Sequence, residues 1–339
     1  MKYLEQGKYI PLKSFGNEKL KENYKLIFVI FIVMIFLKVM IIENRNKQLK
    51  INLSKHYDIH DQINKKFFYK LKHIVDTKEI FENEMMKKHT TFELGGPAKF
   101  FIKPKSINQI INILKLCKQY SVEYFILGNG SNLLVSDKGF NGLVINIHEE
   151  NFSNLKVEQI DKTNYKITVG AGILMKSLAK KLCLLSLSGL EDIIDIPGTI
   201  GGGIVMNASA GSRKGLINNS LEKVKVITPD GEIKELYKKE CQLVRRGSMI
   251  KDKKYMVIEA TFKLSKGNKM IIQKIMADHT SRRYSKQPKY FPNAGCFFVW
   301  YKKKFGSLYE KYKENRIVGY RVGDAMIYTN NKFRECKIF

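Results

Sequence analysis

Arginine is scarce in this sequence: nine residues stand against 51 lysines, in a chain of 339 residues with a net charge of +28. The lysines spread along the whole length beside Asn and Ile, with no basic face interleaved with aromatics, which argues against nucleic-acid binding. A positive field still favours a ligand that carries phosphate. Cysteine is sparse as well. The five cysteines (Cys117, Cys183, Cys241, Cys296 and Cys336) are odd in number, widely spaced and never paired as CxxC. That pattern speaks against a disulfide framework and against a zinc site, so no metal is expected and a reducing compartment fits. The glycine-rich loops match neither GxGxxG nor GxxxxGK followed by Ser or Thr, so the Rossmann and P-loop readings are weak.

One long hydrophobic run is present. "LIFVIFIVMIFLKVMII" (26–42) is apolar except for Lys38. It is short against the roughly 20 residues of a membrane-spanning helix, but tilt or snorkelling would let it cross. The flanking charges fix no orientation, and two readings stand: a membrane anchor, or a translated leader upstream of the true start. Residues 1–84 are therefore set apart as an N-terminal extension.

From residue 85 the pattern is regular. "AKFFIKP" (98–104), "YFILG" (124–128) and "GLVINI" (142–147) read as strands. Ile107, Ile110, Ile111, Ile113, Leu114 and Cys117 recur at helical spacing within 106–122, with Ser106 as the N-cap. A further helix is predicted over 174–187, a hairpin over 222–236 around Pro-Asp-Gly, a strand over 255–264 and a helix over 269–285. Strands and helices mixed with a hairpin argue an α+β fold, not a doubly wound sheet.

Three glycine-rich loops interrupt these elements: "TTFELGGPA" (90–98), "LGNGSNLLV" (127–135) and "DIIDIPGTIGGGIVMNASAG" (192–211). Any one of them would pass as a tight turn. Together they offer many bare N–H groups behind apolar strands, which is what holding a pyrophosphate by main-chain donors requires.

These loops, with "QPKYFPNAGCFF" (287–298) and "GYRVGDAMI" (319–327), resemble the UDP-N-acetylenolpyruvoylglucosamine reductase (MurB) family in order from about residue 85 to 327. The resemblance implies an FAD-binding domain of the PCMH type, shared with vanillyl-alcohol oxidase, over 85–266. An incomplete C-terminal α+β substrate domain would follow over 267–339. It implies FAD and NADPH as cofactors and reduction of the enolpyruvyl group of a UDP-sugar in peptidoglycan precursor synthesis. The setting would be cytoplasmic, with no nucleic acid and no inferable protein partner. The residues that would lie against FAD are Gly95, Gly96, Gly128, Asn129, Gly130, Ser131, Asn132, Gly198, Thr199, Gly201, Gly202 and Asn207. A side chain at Gly198, Gly201 or Gly202 would then occupy the cofactor's space.

The same resemblance assigns chemistry. Cys296 stands where relatives carry the proton donor, usually a serine, and a thiol is a competent acid. Arg246 matches the arginine that steadies the substrate carboxylate, a task suited to a permanently charged planar group. Arg245 replaces the family's tyrosine; with Gln287 and Asn293 it is a candidate substrate contact. Arg282 and Arg283 either meet the UDP phosphates or solvate a helix end, and His89, Tyr284 and Tyr290 read as structural. After "GDAMI" the sequence departs from the family pattern, and nothing in "YTNNKFRECKIF" matches its catalytic glutamate, Glu335 included. A frameshift or truncation would explain that ending. Two other functions stay open at this point: a flavin-binding remnant without turnover, and a membrane-tethered binding protein.

Overall fold

The computed structural model describes residues 38, 40–45, 47, 62–147, 149–208, 219–285, 292–294, 319–322 and 325–328. The chain divides into two compact units, residues 1–66 and 67–339. The described part of the first unit is helical. Of the apolar run at 26–42, only Lys38 and 40–42 fall within the described residues. Among the described residues no helix is long and apolar enough to cross a membrane.

The second unit begins earlier than the sequence reading placed it. The end of helix α1 (residues 62–71) contributes Phe67 and Leu71 to a buried cluster with Val75, Phe100 and Ile110. Strand β1 (Ile80–Met85) pairs antiparallel with β2 (Pro97–Ile102), Phe81 opposite Phe101. Within this unit residues 67–84 bury aromatic surface and supply a sheet edge.

A first sheet runs β1-β2-β4-β3, with β3 (Tyr124–Leu127) and β4 (Phe140–Asn146) parallel to each other and β4 parallel to β2. The crossover from β2 to β3 is helix α2 (Ile107–Tyr120), which forms as its pattern predicts. Ser106 caps it by accepting from the Gln109 N–H, Ser121 ends it in the left-handed region, and Ile110, Ile113, Leu114 and Cys117 are buried on one face.

After a single turn of helix, α3 (Glu149–Phe152), the chain enters a second, antiparallel sheet. Its order is β5-β6-β10-β8-β9, built from β5 (Leu155–Gln159), β6 (Asn164–Gly170), β8 (Leu221–Ile227), β9 (Ile233–Tyr237) and β10 (Met256–Lys266). The short β7 (Leu187–Ser188) pairs with the end of β10. Strand β10 lies in the middle and is buried along most of its length, as a run of apolar residues with few interruptions demands. The β8–β9 hairpin turns at Gly231, at φ +85°, as Pro-Asp-Gly predicts.

Helices α4 (Met175–Leu184) and α5 (Ile200–Val205) pack on this sheet, and their apolar residues join β6, β8 and β10 in one large cluster. A turn of helix, α6 (Met249–Asp252), precedes β10, and α7 (Lys269–Tyr284) follows it. Helix α7 docks on the turn at 191–195, where Thr280 Oγ1 donates to Asp195 at 3.0 Å and His279 meets Asp192 at 2.6 Å. A short hairpin, β11 (Gly319–Val322) and β12 (Ala325–Tyr328), closes the described chain.

Candidate cofactor and substrate site

The three glycine-rich loops meet. Under the first two lies a small apolar cluster of Met86, Ala98, Phe101, Leu127 and Val144. The first loop is pinned by Gly96 N–H to Ser136 O at 2.9 Å and Thr91 N–H to Gly130 O at 3.3 Å. At Gly130, φ is +62° and a Cβ would run into the His89 carbonyl; at Gly96 one would run into the Asp137 carbonyl. These glycines let backbone lie on backbone, a tighter approach than any side chain permits. The second loop in turn touches the third. A Cβ on Gly128 would come within 2.6 Å of Thr199 Oγ1, and Asn129 Nδ2 donates to Pro197 O at 3.4 Å.

Sequence reasoning missed Asn146, which holds the second loop from below. Its buried amide donates to the carbonyls of Leu127 (3.3 Å) and Gly128 (3.1 Å). A lone asparagine at the end of an apolar strand was the available signal, since a buried amide must find partners.

The main-chain donors divide sharply between loops. Among the described residues, the N–H groups of Asn129, Gly130, Ser131 and Asn132 donate to nothing. Four successive free amides on a loop form a receptor for anionic oxygens. The third loop differs. Ile200 N–H bonds to Ile173 O, Gly201 N–H to Ala171 O, Gly202 N–H to Thr199 Oγ1 and Gly203 N–H to Thr199 O. It presents a surface and withholds its donors.

Three glycines of the third loop have different surroundings. The space beyond the Gly201 Cα is filled by the protein, with the Ala171 Cβ at 2.9 Å from where a side chain would start. Gly202 is different: it is exposed, and a Cβ there would meet only Thr199 Oγ1 at 3.5 Å. Gly198 lies between, facing Met175 Cε (3.1 Å) and Ser131 Oγ (3.2 Å).

Two candidate substrate segments reach this surface. Thr91 Oγ1 donates to Asn293 O at 2.7 Å and the Asn293 N–H donates to Thr91 O at 3.0 Å, so the "NAG" segment is joined to the first loop. Cys296, three residues on, and Gln287 lie outside the described residues. Arg245 and Arg246 form the corner between Val244 and Gly247, which exchange both main-chain hydrogen bonds (3.1 and 3.2 Å). Arg246 is half-buried at φ +61°, and among the described residues its guanidinium has no partner. A non-glycine residue in that conformation is strained, by roughly 1–3 kcal/mol, and such strain gathers at functional sites. Arg245 is exposed.

Two of the other cysteines are poorly suited to act as acids or nucleophiles. Burial pushes the Cys117 thiol up to about 12 and the Cys241 thiol up to about 11. Among the described residues no cluster of His, Cys, Asp and Glu could hold a metal ion.

A loop of free amides beside glycine surfaces on a two-sheet α+β frame defines a flavin-adenine-dinucleotide-binding protein, and residues 98–237 match the FAD binding domain family. The chain is 38% identical over 262 residues to UDP-N-acetylenolpyruvoylglucosamine reductase of Clostridium kluyveri (strain NBRC 12016), covering 77% of this chain and 82% of that one. The enzyme of the same name from Agathobacter rectalis (strain ATCC 33656) is 38% identical over 256 residues, 73% of this chain and 79% of the relative. The crystal structure of UDP-N-acetylenolpyruvylglucosamine reductase from Thermus caldophilus superposes with a TM-score of 0.56 at 30% identity, covering 73% of this chain and 84% of that one. The chain belongs to the UDP-N-acetylenolpyruvoylglucosamine reductase family, FAD- and NADPH-using oxidoreductases of peptidoglycan synthesis.

Proposed function

We propose that this chain reduces UDP-N-acetylenolpyruvoylglucosamine to UDP-N-acetylmuramate with NADPH as the electron source, in the cytoplasm where its nucleotide substrates are found. Family membership supports the substrate class, and the free amides of Asn129 to Asn132 are the observation that carries the cofactor reading. Bound FAD, once reduced by NADPH, supplies the hydride for the enolpyruvyl double bond.

The chain's own residues hold, orient and protonate. The amides of the second loop bind the pyrophosphate, and Gly198, Thr199 and Gly202 give a surface low enough for the dinucleotide to lie close. Gly95 and Gly96 shape the first loop beside it. Hydride arrives at the carbon β to the substrate carboxylate, so the α carbon carries enolate charge until it gains a proton. Arg246 pairs with that carboxylate and spreads the charge, and Cys296 delivers the proton, a thiol being a competent acid. Arg245, Gln287 and Asn293 contact the UDP-sugar.

The test is optical and kinetic. The purified chain should be yellow, or become so on soaking in FAD, and should consume NADPH beyond one equivalent of flavin when the enolpyruvyl substrate is added. Cys296→Ala should leave reduction by NADPH intact and slow substrate reduction by about 10²–10⁴-fold. A colourless protein overturns the cofactor reading; a yellow one that never turns over overturns the reductase reading and leaves a flavin-binding chain. Equal loss of both half-reactions in Cys296→Ala removes the proton-donor role.

A further inference from the structure

The corner that carries Arg246 is not held by its own contacts alone. It is tied at both ends to the last residues of the glycine-rich helix α5. On one side Ser248, just past the corner, donates from Oγ to Val205 O at 2.8 Å. On the other side Asn207, two residues beyond α5, donates from Nδ2 to Val244 O at 2.9 Å. Val244 O also accepts the Gly247 N–H, so this carbonyl is where the asparagine and the two-residue arginine corner join.

Asn207 is itself fixed. It is 7% exposed, its backbone sits in the left-handed region at φ +42°, and its N–H donates to Ile204 O at 3.0 Å. Since Val244 O can only accept, the amide is turned with its nitrogen toward the corner. Among the described residues its Oδ1 is then buried and without a partner. A buried acceptor left unpaired is unfavourable, so the donor end is what the amide is there to supply. An aspartate of the same size could not supply it.

We infer that Asn207 is a positioning residue for Arg246: its amide holds the Val244–Gly247 corner against the end of α5, fixing the guanidinium relative to the glycine surface. It acts through Arg246 and touches no reacting atom in this role. The inference rests on the reading of Arg246 as the partner of the substrate carboxylate.

A double-mutant cycle on the full chain tests it, with two readouts. Calorimetry gives the affinity for UDP-N-acetylenolpyruvoylglucosamine, and the visible spectrum gives the FAD content. Asn207→Ala, compared with the wild type at equal FAD content, should weaken substrate binding about tenfold, as misplacement of a fixed group does. Arg246→Ala should weaken it by at least as much, and adding Asn207→Ala to Arg246→Ala should cost nothing further, the signature of coupled residues. Losses that multiply in full overturn the inference. So does unchanged affinity in Asn207→Ala while Arg246→Ala is impaired, an outcome that leaves the reading of Arg246 standing. Unchanged affinity in Arg246→Ala overturns both. Should Asn207→Ala fail to fold by circular dichroism, Asn207→Asp carries the same predictions, since it keeps the volume and removes the donor.

Discussion

At the scale of single residues, the clearest physical statement concerns Glu84 and His89. The imidazole stacks on Phe101 with ring centroids 4.1 Å apart, and its Nε2 lies 3.0 Å from Glu84 Oε1; Lys88 approaches the same carboxylate at 3.4 Å. Burial pushes the Glu84 carboxyl up, but the hydrogen bonds from His89 and Lys88 outweigh it and hold the group below its ordinary 4.5. A depressed folded value means stability that is present above pH 4.5 and lost as pH falls through the folded value. Glu84→Gln should therefore cost about 1 kcal/mol at neutral pH, with the gap to the wild type closing at strongly acidic pH, read from urea unfolding at both. His89 was legible only as the residue before a loop. Its partner lies five residues earlier, in a stretch that composition assigned to the extension, and no periodicity announces an ion pair.

Among the elements, those with a strong period of their own were legible. Helix α2 carries its apolar residues at helical spacing and its cap at Ser106, and the β8–β9 hairpin carries alternation around Pro-Asp-Gly. Strand β1 carried no such signal: its ends are half-buried and its middle exposed, so its identity comes from pairing with β2. The glycine-rich helix α5 was legible as special but not in its details. Gly201 and Gly202 look alike in sequence, yet one abuts Ala171 and the other faces outward. Gly201→Ala should destabilise the fold by about 1–3 kcal/mol, as overpacking does. Gly202→Ala should leave stability unchanged or raise it by up to about 1 kcal/mol, since alanine restricts the unfolded chain. Thermal melts of the apoprotein separate the two, and loss of FAD affinity in Gly202→Ala alone would locate the cofactor on that face. The free amides at 129–132 could be guessed from glycine content; that the Ile200 and Gly201 donors are spent could not, because their acceptors Ile173 and Ala171 lie about thirty residues away in sequence.

For the molecule as a whole, the α+β architecture follows from the order of patterns, whereas the limits of the folded body do not. Phe67, Leu71 and Val75 reach the core from a region whose composition resembles what precedes it. A chain of residues 67–339 should keep a cooperative melt. One of residues 85–339 should lose cooperativity, because three buried side chains worth about 1.5–3 kcal/mol each and the edge strand β1 go with the deletion. Equal melting of the two would return the boundary to 84/85.

The reciprocal bonds between Thr91 and Asn293 span 202 positions of sequence. A polypeptide leaves the ribosome in numerical order, so the rim that Thr91 contributes stays unlatched until Asn293 has been made. A nascent fragment halted before that latch would have its first loop standing without this partner.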